Sequence, residues 1–139
     1  MPAIYEHALT VAAADIDRQG HAGNVEYVRW MQDAAVAHSS ARGWTAERYA
    51  RVGGAWVVRS HHVEYLKPAF AGDEIIIRTW VASLERIRSL RRYHLRRGGD
   101  LIARAETLWV WVEMPSGRPR PVPAEVASGF EIVSDAMVS

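Results

Sequence analysis

A chain of 139 residues, 49% hydrophobic and 24% charged, is long enough to bury a core and too apolar to be disordered. Its 17 Lys and Arg residues nearly cancel its 16 Asp and Glu residues, and a formal charge of +1 supplies no broad field for nucleic acid or an acidic membrane. Cysteine is absent, which removes disulfides, thiolate metal sites and a cysteine nucleophile together. The opening Met1-Pro2-Ala3-Ile4-Tyr5-Glu6-His7 has no basic region, and no run of 18 apolar residues occurs anywhere. The expectation is one cytoplasmic domain over residues 1–139, without a signal peptide or a membrane span.

In chain order, residues 4–16 are rich in β-formers and alanine and predict a strand. Residues 24–42 predict the one long helix. Val25, Val28, Met31, Ala34, Ala35 and Ala41 recur at spacings of three and four, His38 shares their stripe, and Arg29, Gln32 and Asp33 fall between. Asn24 is the expected N-cap, Glu26 suits the positive end of the helix dipole, and Gly43 is the stop. Residues 45–51 predict a further short turn. Strands follow at 55–66, 74–84, 89–97 and 101–113, with breaks short enough for antiparallel hairpins and a tight turn at Gly98-Gly99. Residues 123–130 predict a short closing helix. Strand, long helix and four strands make an α+β arrangement with the helix on one sheet face. In the last strand Leu108, Val110 and Val112 alternate with Trp109 and Trp111, so both faces are apolar and both need cover. One helix covers one face, which predicts a homo-oligomer.

The densest group of reactive side chains is Asp15-Ile16-Asp17-Arg18-Gln19-Gly20-His21-Ala22-Gly23-Asn24, between the first strand and the long helix. A carboxylate there serves as base or nucleophile. The helix start offers unpaired N–H groups to a developing negative charge, and the glycines allow close backbone approach. These are parts for hydrolysis at a carbonyl, although Asp, Gly and Asn also build ordinary polar turns.

The run Asp15-x-Asp17-x-x-Gly20-His21-x-x-Asn24-x-x-Tyr27-x-x-Trp30 resembles the signature of the hotdog-fold acyl-CoA thioesterases, the 4-hydroxybenzoyl-CoA thioesterase-like family. Val63-Glu64-Tyr65-Leu66-Lys67-Pro68-Ala69 before Gly72-Asp73-Glu74, and Thr107-Leu108-Trp109-Val110-Trp111-Val112 before Gly117-Arg118-Pro119, are similar to later passages of that family and fall in the same order. The resemblance implies a single hotdog domain, a curved antiparallel sheet of about five strands wrapped round one long helix, working as a homodimer or homotetramer. It also implies hydrolysis of an acyl-CoA thioester at a site on the subunit interface. Asp17 matches the catalytic carboxylate, as nucleophile or as base on water; the main-chain N–H at Asn24 matches the carbonyl-polarising donor, and His21 an orienting histidine. Gly23 departs from the family's usual Asn, and Gln19 stands where plant acyl-carrier thioesterases carry a catalytic Asn.

Substrate contacts are expected from Trp56, Val57 and Val58, which begin a strand that passes the acyl pocket in that family, and from Tyr27, which either faces the pocket or packs. Arg88, Arg91 and Arg92 lie in an arginine-rich stretch that would hold the phosphates of coenzyme A or form a solvated hairpin. Neither cofactor nor metal is implied; His61 and His62 are adjacent on a strand and face opposite ways. An acyl carrier protein is the alternative substrate carrier. The alternative class of function is a non-catalytic binder of acyl or aromatic ligands.

Overall fold

The structure is a computed structural model and describes residues 3–135 and Val138. Its elements are β1 (Tyr5–Thr10), a single 3-10 turn at Ala13–Asp15, α1 (Asn24–Ala41), α2 (Ala46–Arg51), β2 (Gly54–Tyr65), β3 (Glu74–Glu85), β4 (Arg88–Arg97), β5 (Asp100–Glu113) and α3 (Ala124–Ala127). The five strands form one antiparallel sheet in the order β1-β3-β4-β5-β2. This is the α+β hotdog arrangement expected from the sequence, with α1 laid across one sheet face. The predicted first strand is shorter than expected because the chain turns at Ala13–Asp15, where Asp15 Oδ2 accepts the N–H of Ala12 at 3.0 Å.

The core explains how α1 is seated. Tyr27, Trp30, Met31, Ala34 and Ala35 bury against Ile75 and Ile77 of β3, Tyr93 and Leu95 of β4, and Ala103 and Ala105 of β5. Alanines on both sides permit close approach of the helix to the middle strands, and Tyr27 and Trp30 supply the larger buried side chains of its N-terminal half. The predicted stripe holds at Met31, Ala34, Ala35 and His38, all buried, and departs from the buried face at the start of the helix. Val25 stands 78% exposed, and Tyr27 and Trp30 take the inward positions. Their greater area outweighs a valine's when a helix chooses which side to bury.

A second cluster joins Trp44, Trp111 and Val126, with Tyr49, Val52, Trp56, Val122 and Phe130 packed on it. It corrects the argument that β5 needs a partner chain. Trp111 is covered by α2, α3 and their flanks, and Val110 and Val112 on the other face are buried within this same chain. At the far end of the sheet, Ile132 pairs in parallel with Val81, and the Val133 N–H donates to the Val81 carbonyl at 2.9 Å. Asp135 then accepts from Trp80 Nε1 and pairs with Arg92.

Candidate active site

The loop before α1 is held by its own backbone. Ile16 bridges to Ala22, the Asp17 N–H donates to the His21 carbonyl at 2.9 Å, and the Gly20 N–H returns to the Asp17 carbonyl at 3.1 Å. Gly20 closes this turn at φ +88°, a conformation that other side chains resist. Two further bonds dock the loop: Ala22 N–H to the Ala69 carbonyl at 2.8 Å, and Gly23 N–H to the Asp15 carbonyl at 3.0 Å.

The two carboxylates have different surroundings. Asp15 is engaged on both oxygens, by Ala12 N–H and by Arg29 Nη2 at 2.9 Å. Asp17 is exposed; its Oδ1 accepts the Gln19 N–H at 2.8 Å, and its Oδ2 lies beside Gly23. A Cβ built on Gly23 would meet Asp17 Oδ2 at 3.9 Å, so the carboxylate stands at the mouth of the helix. Gly23, not Asn24, is the N-cap; Asn24 is the first helical residue. As such its N–H has no acceptor inside the helix and points out of the positive end of the dipole. Tyr65 of β2 reaches across and donates its hydroxyl to the Asn24 carbonyl at 3.3 Å, which ties the helix start to the sheet edge. His21 is half-buried, with Nδ1 3.1 Å from the Ala22 carbonyl. Asp17, His21 and Asn24 thus share one small surface.

Tyr27 lies beneath it, buried, edge-on to Tyr65 at 4.9 Å and 5.0 Å from Trp30. Burial pushes its phenol above the ordinary range. Of the two expectations for Tyr27, packing is what these contacts describe.

A cavity of about 660 Å³ opens elsewhere, between the C-terminal half of α1, α2 and the inner face of the sheet. Its walls include Ala35, Ser39, Trp44, Tyr49, Gly54, Trp56, Arg91 and Trp109. Gly54 has no room for a side chain, because a Cβ there would fall on the Trp111 ring. Ala35 lies eleven residues along the helix from Asn24, or about 16 Å at ~1.5 Å per residue. Of the expected acyl contacts, Trp56 reaches this cavity. Val58 shares its face outside the wall, and Val57 turns to the other face.

The arginines separate in the same way. Strand alternation puts Arg88 and Arg92 on the outer face, where Arg92 pairs with Asp135, and turns Arg91 inward to 6% exposure. The three therefore do not make one phosphate-binding rim. Arg91 Nη1 donates to His38 Nδ1 at 2.9 Å and to Thr79 Oγ1 at 3.0 Å. Arginine has no acceptor, so His38 must accept, which leaves its own proton on Nε2. Burial, then the charges of Arg91 and Arg42, push His38 down to about 3, and it stays neutral. Sequence reading placed His38 on the helix stripe but gave no sign of this partner, 53 positions away.

Among the described residues, no helix is long and apolar enough to cross a membrane. The profile of the thioesterase-like superfamily matches residues 11–130. The L-carnitine dehydrogenase/betainyl-CoA thioesterase of Rhizobium meliloti is 27% identical over 127 residues, 90% of this chain but 25% of that protein, so the chain spans about a quarter of its length. Slr0204, a 1,4-dihydroxy-2-naphthoyl-CoA thioesterase from Synechocystis, superposes with a TM-score of 0.83 at 19% identity, over 91% of this chain and 95% of that one. SAV2348 from Staphylococcus aureus, solved in complex with CoA, gives 0.85 at 14% identity over 98% and 92%. The match of the family profile from the loop before α1 to the end of the closing helix shows that the chain belongs to the thioesterase-like superfamily.

Proposed function

We propose that the protein hydrolyses acyl-CoA thioesters to the free acid and coenzyme A. The observation that carries this reading is the Asp17 carboxylate beside the N-cap of α1, one residue from the outward N–H of Asn24. A thioester carbonyl held against that N–H becomes more electrophilic as negative charge gathers on its oxygen. Asp17 then either takes a proton from water, which adds to the carbonyl carbon, or attacks that carbon itself through Oδ2. In both routes the C–S bond breaks, the sulfur leaves as the CoA thiolate, and water supplies the acid's new oxygen and the thiol's proton. His21 orients the bound carbonyl from the other side of the loop. The superfamily match and the CoA thioesters named for its relatives support the substrate class.

The acyl group occupies the cavity behind Trp56, and the site forms between two protomers, the loop of one meeting the cavity of its partner. Two features support this. Loop and cavity lie about 16 Å apart along α1 within one chain, and α1 shows solvent two large apolar side chains, Val25 and Val36, at 78% and 62% exposure. The test combines free-thiol release from a panel of acyl-CoA esters with sedimentation at micromolar concentration. Turnover by a homodimer or homotetramer is expected. Absence of thiol release across the panel would remove the activity, and a strictly monomeric active enzyme would remove the shared site.

A further inference from the structure

The cavity wall holds a charge that no carboxylate among the described residues neutralises. Arg91 is buried at its wall, yet among the described residues no carboxylate pairs with it. Its hydrogen-bond partners are a neutral histidine and a threonine hydroxyl, and the ionisable neighbours that favour its charge are the phenols of Tyr93 and Tyr49. A guanidinium taken out of water without a counter-charge is costly, and a protein that needed only shape here could use an apolar side chain.

The way Arg91 is held indicates what completes it. Both bonds, to His38 on α1 and Thr79 on β3, engage Nη1. They fix the plane of the group and leave the Nε–Nη2 edge without a partner among the described residues. Two parallel N–H groups on one edge match the two oxygens of a carboxylate. The rest of the wall is largely aromatic and aliphatic, including Trp44, Trp56 and Trp109, with Ser39 and Tyr49 already bonded to each other at 2.8 Å. An apolar body with an anionic far end fits that lining. A phosphate, with more oxygens and more charge to satisfy, does not. A quaternary ammonium would be repelled.

Resting on the acyl-CoA reading above, we propose that Arg91 selects acyl groups bearing a carboxylate at the end remote from the thioester, so that the substrates are CoA monothioesters of dicarboxylic acids. His38 and Thr79 position Arg91. They do not touch the substrate.

The experiment compares such monothioesters, over a series of chain lengths, with the methyl esters of their free carboxyls, in wild type and in Arg91→Met and Arg91→Lys. Wild type is expected to favour the free carboxylate in kcat/KM by about 10–100-fold at the best length, the span of a charge-assisted hydrogen bond. Arg91→Met loses the preference while still turning over the methyl ester, and Arg91→Lys keeps a smaller part of it. Equal kcat/KM for both forms in wild type overturns the proposal whether or not the variants fold. A preference that survives in folded Arg91→Met does so too. Calorimetry with non-hydrolysable thioether analogues of the same pairs separates the two readings. A carboxylate analogue that binds at least about tenfold tighter, where no ester is hydrolysed, removes the thioesterase activity but supports the anion site. Hydrolysis with no difference in analogue affinity keeps the activity and removes the anion site.

Discussion

At its N-terminal end α1 meets solvent through a loop whose polar groups are mostly satisfied by one another, leaving the Asp17 carboxylate exposed beside the N–H groups of the helix start. Along its C-terminal half the same helix turns Ala35 and Ser39 toward a cavity walled by aromatics and one buried guanidinium. The first region suits chemistry: Asp17 is open to solvent and the loop is fixed by short-range backbone bonds. The second suits discrimination, because a charge in an apolar wall rejects whatever fails to answer it. If the two serve one substrate, damage to the first should lower turnover for every acyl group, and damage to the second should change which acyl group is used.

The largest effect is expected at the first region. Asp17→Asn keeps shape but is a poor base and a poor nucleophile, and kcat should fall about 10²–10⁴-fold for all acyl groups alike, with melting temperature unchanged. Next, Asn24→Pro should lower kcat about 10²–10³-fold by deleting the N–H proposed to polarise the carbonyl. The fold should tolerate it, because proline is favoured at the first helical position and Gly23 already has the extended backbone that a following proline requires. Asn24→Ala, which keeps the N–H, should be nearly silent in both activity and stability.

The second region is reached through pH. His38 is 2% exposed and held near a pKa of about 3, below the ordinary 6.5 of an unfolded chain. The unfolded chain therefore binds the extra proton first as pH falls. The contribution of neutral His38 is fully present above pH 6.5 and is lost progressively toward pH 3. Between pH 7 and pH 5 the loss should be on the order of 2 kcal/mol, read as urea midpoints. His38→Gln, which accepts from Arg91 without titrating, should flatten that slope. A smaller effect should come from Asp15→Ala, about 1 kcal/mol of stability through the Ala12 and Arg29 bonds, with little change in kcat. A larger loss of turnover at Asp15 than at Asp17 would reverse the roles given to the two carboxylates.

The legibility of the two regions follows from the range of their interactions. Strands, turns and the span of α1 were readable because apolar periodicity and Gly breaks are local, and the loop was readable because Asp17, His21 and Asn24 lie within eight consecutive residues. The helix face was legible at Met31, Ala34, Ala35 and His38 and misjudged only in the first turns, because Val25 and Tyr27 are both apolar and packing against the sheet decides which turns inward. The N-cap shifted by one residue for a similar reason: the Gly23 N–H is claimed by the Asp15 carbonyl, so the helix begins after it. Arg91 was grouped with Arg88 and Arg92 because charge count ignores strand alternation. Its partners come from α1 and β3, 53 and 12 positions away. Nor did the cavity have a local signal, since its walls are drawn from helices and strands across the chain.

The segment that ends at Asp135 has a consequence for how the protein survives in solution. β1 pairs with β3 only up to Thr79; beyond it, Ile132 and Val133 continue the lane against Val81, and Asp135 pins them through Trp80 and Arg92. Without this strap, the end of β3 would present unpaired N–H and C=O groups beside the apolar side chains of Trp80 and Val81. Such an edge recruits foreign strands. A few residues near the C-terminus thus act as a guard against misassembly, and their loss would surface first as aggregation during expression, before any loss of catalysis.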